Sequence, residues 1–81
     1  MPTVLRREGF RFFFYSDEHA PSHIHVEKGE AYARIELDSL KVTDTYRLSS
    51  RDLKKILLIV REYRDYLQEA WNEHFQNHDV D

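Results

Sequence analysis

The stretch His23-Ile24-His25-Val26-Glu27-Lys28-Gly29-Glu30-Ala31-Tyr32-Ala33-Arg34-Ile35-Glu36-Leu37 reads as two strands joined by a turn at Gly29-Glu30. Residues two apart on a strand share a face. One face then carries Ile24, Val26, Ala31, Ala33, Ile35 and Leu37, with nothing charged among them. The other carries His23, His25, Glu27, Tyr32, Arg34 and Glu36. An apolar sheet face has to be buried against another element, so the hairpin implies a layer packed on one side of it.

Upstream, Thr3-Val4-Leu5-Arg6-Arg7 and Phe10-Arg11-Phe12-Phe13-Phe14-Tyr15 form a second hairpin across Glu8-Gly9, with aromatic density favouring strands. Phe10, Phe12 and Phe14 extend the apolar face, and Arg11, Phe13 and Tyr15 extend the other. The polar segment 16–22, broken by Pro21, is a loop. Downstream, residues 41–47 add a possible fifth strand, weakened by Asp44.

A helix follows. Ser49 at the N-cap with Asp52 three residues on is an acidic variant of the capping box, and Leu48 and Leu53 occupy the positions of a hydrophobic staple. Leu53, Ile56, Leu57, Val60, Tyr63, Leu67, Trp71 and Phe75 recur at steps of three and four. No Gly or Pro interrupts the run, so one helix of about 26 residues, near 40 Å long, is predicted. That is twice the length of a six-residue strand, so one end should overhang the sheet or meet another chain. Leu58 and Tyr66 fall off the stripe. The expected fold is α+β: a four- to five-stranded, mainly antiparallel meander with one long C-terminal helix on one face. Residues 1–76 form a single domain and residues 77–81 a frayed tail.

Composition bounds the function. A chain of 81 residues suits one small domain, which buries only about 60% of the surface its unfolded chain exposes. There is no cysteine, which excludes disulfides and thiolate metal sites and fits a reducing cytoplasm. The N-terminus has no apolar run of the signal-peptide kind, and Ile56–Val60 is far too short to span a bilayer. A cytoplasmic protein without membrane contact is expected. The net charge of −3 gives the molecule no general footprint for nucleic acid.

Chemistry concentrates in residues 16–26, which hold three of the five histidines, two carboxylates and a proline. One reading is metal-independent RNA cleavage, with His19, His23 and His25 as acid and base and Arg11 and Arg34 as phosphate partners. Tyr15 or Tyr32 would then stack a base. Another is a metal site on His23 and His25, roughly 6.6 Å apart at Cα, with Glu18 or His19 as a third ligand. Yet His-x-His arises readily on any alternating polar strand, so no metal or cofactor is expected. The third reading, which leads, is a protein-contact face built from Phe13, Tyr15, Glu27 and Tyr32, since no segment obviously covers these aromatics. His19 would then brace the loop.

Met1-Pro-Thr-Val-Leu-Arg6, Phe10-Arg-Phe-Phe-Phe-Tyr-Ser-Asp-Glu-His19-Ala-Pro-Ser-His23-Ile-His25-Val26 and Leu67-Gln-Glu-Ala-Trp-Asn72 together resemble the DUF4160 family. These are small bacterial proteins with no settled function. The His-x-Pro-x-His-x-His segment is the most specific part of the likeness. Such proteins often sit beside a small protein of the DUF2442 type, in an arrangement suggestive of toxin–antitoxin modules. The resemblance therefore implies a small protein partner and a toxin-type role, with RNA as one conceivable target. It assigns no catalytic residue.

Overall fold

The computed structural model describes residues 3–76. The tail expected at 77–81 lies outside the described residues. Five strands run β1 (Thr3–Arg7), β2 (Phe10–Phe13), β3 (His23–Lys28), β4 (Ala31–Glu36) and β5 (Val42–Tyr46), followed by helices α1 (Ser50–Glu62) and α2 (Arg64–Trp71) and a π-helical turn, Asn72–Gln76. The sheet order follows the chain, β1-β2-β3-β4-β5, and every pair is antiparallel. The meander and the fifth strand are thus as expected. Glu8 and Gly9 have φ of 52° and 85°, and a two-residue hairpin turn of the I′ kind needs positive φ at both positions. Register shifts in the β1–β2 and β4–β5 pairs place an irregularity beside each edge strand, which discourages edge-to-edge association.

The apolar face is the core. Phe10, Phe12, Phe14, Ile24, Val26, Ala33, Ile35 and Leu37 are all at most 1% exposed. Against them pack Ile56, Ile59, Val60, Leu67 and Trp71 from the helices. Ile59, one position short of Val60 in the predicted stripe, is buried as well, so the helical stripe is wider than its steps of three and four implied. Leu58 and Tyr66 remain exposed.

Ser49 caps α1, its hydroxyl accepting the Asp52 N–H at 3.1 Å. The single long helix is corrected. Tyr63, at φ −102° and ψ 16°, leaves helical geometry between α1 and α2, although its N–H still reaches the Ile59 carbonyl at 2.9 Å. No Pro or Gly marks the break. A straight helix twice a strand's length would carry its far end past the sheet. After the break, Leu67 and Trp71 are instead buried, and Trp71 meets Phe14 edge-on with ring centroids 5.5 Å apart. Residues 64–71 thus do not stand clear of the sheet: Leu67 and Trp71 join its core. Tyr66 donates to the Val4 carbonyl at 3.1 Å and the Arg64 guanidinium to the Asp38 carbonyl, fastening α2 to β1 and to the turn between β4 and β5.

Candidate functional site: a buried histidine–glutamate network

The second face of the sheet was expected to lie open, and for its centre this too is corrected. His23, His25 and Phe13 are 3%, 4% and 1% exposed. The segment between β2 and β3 folds over the face, and Glu18 is the residue that holds it there. The carboxylate accepts the Tyr15 backbone N–H on Oε2 at 2.9 Å. Its Oε1 lies 2.5 Å from His23 Nε2 and 2.6 Å from His25 Nε2. Alternation along β3 puts both imidazoles on one face, and the loop returns one carboxylate to the point where they converge.

The far nitrogens are fixed too. His23 Nδ1 donates to the Pro21 carbonyl at 2.8 Å, and the Ala20–Pro21 peptide before it is cis. His25 Nδ1 is 2.7 Å from the Tyr32 hydroxyl. Ser22 donates to Gln68 of α2 at 2.9 Å, while its carbonyl accepts the Leu37 N–H at 3.0 Å. The loop is therefore stitched at both ends, and no buried side-chain nitrogen or oxygen lacks a partner among the described residues. A buried polar group without a partner costs roughly 1–3 kcal/mol, so full pairing is what makes this burial tolerable.

Aromatic packing encloses the network. The Phe13 ring stacks on His25 at 5.5 Å and the Tyr32 ring stacks on its far side at 5.9 Å. Tyr15 meets His25 edge-on at 4.5 Å, and Trp71 lies 4.9 Å from His23. Trp71 was legible only as a core residue of the helix; nothing in its spacing announced a contact with His23.

Electrostatics follow from this enclosure. Burial pushes the Glu18 carboxyl up, but hydrogen bonds from His25, His23 and the Tyr15 backbone outweigh it and hold the group below its ordinary value. Burial pushes His25 down, and the opposing bond and charge of Glu18 do not restore it. Burial, with the charges of Tyr15 and Asp44, lifts the Tyr32 hydroxyl to about 12, so it stays protonated and available as a hydrogen-bond partner.

The remaining candidates lie around this centre rather than in it. Arg11 is tied to Glu27 at 2.8 Å, donates to Thr3 at 2.7 Å, and covers the Phe13 ring at 4.3 Å. Arg34 is the cross-strand neighbour of His25, and its guanidinium donates to the Thr43 hydroxyl at 2.6 Å. His19 is exposed and stands outside the cluster. Glu18, His23 and His25 alone come together, one ligand atom from each lying within 4.8 Å of the others.

No curated protein and no solved structure matches the chain. A family does: the domain of unknown function DUF4160 matches residues 9–72, which takes in β2 to the end of α2 and the whole of the Glu18–His23–His25 network. By that match the chain belongs to the DUF4160 family.

Proposed function

We propose that this protein works through protein–protein contact, as one component of a toxin–antitoxin-type pair whose partner is a small protein of the DUF2442 type. The observation that carries this reading is the division of the network-bearing face. Its imidazoles are sealed from any substrate-sized ligand, whereas the tyrosines at its rim are not: Tyr15 is 41% and Tyr46 57% exposed. Tyr46 pairs with Tyr32 across β4 and β5, so it continues the same row of side chains. Exposed tyrosines beside paired charges, here Arg11–Glu27 and Arg47–Glu30, have the composition of an interface centre with a polar rim. RNA cleavage is less well supported, because His23 and His25 are buried and both candidate arginines are already engaged. Among the described residues no helix is long and apolar enough to cross a membrane.

Calorimetric titration with the neighbouring DUF2442-type protein tests the proposal. Saturable binding is expected. Tyr15→Ala combined with Tyr46→Ala should weaken it at least about tenfold while the circular dichroism spectrum stays unchanged. Absence of binding by the unaltered chain sinks the reading; unchanged affinity of the double variant removes this face from it.

A further inference from the structure

Two ring nitrogens, projecting from positions two apart on β3, aim at a single oxygen. His23 Nε2 and His25 Nε2 stand 2.5 and 2.6 Å from Glu18 Oε1. The backs of the rings explain why those nitrogens matter. The Pro21 carbonyl can only accept, so His23 Nδ1 carries the hydrogen and the lone pair of the neutral ring falls on Nε2, facing the centre. The Tyr32 hydroxyl can donate as well as accept, so His25 can give its Nε2 hydrogen to Glu18 in the metal-free site and carry it on Nδ1, with the lone pair turned inward, when a cation binds. Metal-binding histidines are oriented by outer partners of this kind, a carbonyl or a neutral oxygen behind the ring.

Hydrogen bonding alone satisfies the site only with an added proton. With Nδ1 of His23 already bearing hydrogen, the 2.5 Å contact from its Nε2 to the carboxylate needs a second one. It must be kept where the His23 side chain is 3% and the Glu18 side chain 8% exposed. A divalent cation held by the two nitrogens and the carboxylate replaces that proton, with the Glu18 oxygen withdrawing from its present 2.5 and 2.6 Å contacts to admit it. We propose that Glu18, His23 and His25 bind a divalent transition-metal ion, zinc by the chemistry of the donors. Two imidazoles and one carboxylate form a three-ligand set that leaves zinc's fourth position to water. The inference stands apart from the partner reading, since these three side chains are buried beneath the tyrosine rim.

The test is a titration of the unaltered chain with zinc chloride, by calorimetry and by long-range 1H–15N spectra of the imidazoles. One zinc per chain is expected, reversed by EDTA, with the Nε2 resonances of His23 and His25 shifted and the melting temperature raised. Glu18→Gln should weaken binding roughly 100-fold, and His19→Ala in the same loop should leave it unchanged. Absence of saturable binding up to about 100 µM zinc overturns the proposal. So does binding that shifts other histidines while His23 and His25 stay still, an outcome read on the unaltered chain whatever the variants do to the fold.

Discussion

The two faces of the sheet are closed at their centres by opposite means. Beneath the helices, Phe12, Phe14, Ile24 and Ile35 are excluded from water by carbon alone. On the other side, His23 and His25 are as well hidden, yet every polar atom is answered by Glu18, Pro21 or Tyr32. Apolar burial is non-directional and degrades with lost volume. A polar network is directional and degrades with lost partners. The same low exposure therefore implies two different kinds of fragility.

Substitution can pull the faces apart. Phe12→Ala, at a site with no exposure, should cost about 4 kcal/mol through lost transfer energy and the cavity left behind, read from a shifted urea midpoint. Glu18→Ala removes far less carbon but orphans two imidazoles, and about 3 kcal/mol is expected by the same measurement. If Glu18→Ala were neutral, the second face would be packing rather than a network.

Acid sharpens the contrast, with EDTA present so that only protons compete. His25 is depressed below its ordinary 6.5 in the fold, so its stabilisation is complete above pH 6.5 and is lost as the pH falls towards its folded value. Glu18 is depressed below 4.5, so its share is complete above that pH and is lost below it. Melting temperature should decline in these two windows, and Glu18→Gln should flatten the lower one. A Phe12→Ala chain should keep both. Superimposable melting profiles for Glu18→Gln and the unaltered chain below pH 4.5 would remove Glu18 from the acid response.

The legible parts of this molecule are those whose cause is local. Alternation in Ile24-Val26 and Ala33-Ile35-Leu37 fixes the faces of the sheet, and Ser49 with Asp52 fixes the start of α1. The meander follows because short turns can only join neighbours. Two features were not legible for the same physical reason. The helix break at Tyr63 contains no breaking residue and goes with burial of Leu67 and Trp71, a tertiary demand. The closure of the second face depends on a loop carboxylate meeting two strand imidazoles, and alternation says which way His23 and His25 point without saying what descends on them. Glu18 was among the candidate ligands on residue type; its role as the point of convergence is a property of the loop path.

The strictly sequential sheet also sets the order in which the molecule can assemble. Every strand pairs with its neighbour in the chain, so the sheet and the network beneath Glu18 close over short stretches of sequence at little entropic cost. The contacts that span the chain belong to the helices: Ile56 and Val60 of α1 pack in the core with Phe10 and Phe12, Trp71 of α2 meets Phe14, and Tyr66 reaches back 62 residues to Val4. Interactions formed after the folding barrier govern the unfolding rate rather than the folding rate. If the meander forms before the helices seat, substitutions in the sheet slow folding and Trp71→Ala mainly speeds unfolding.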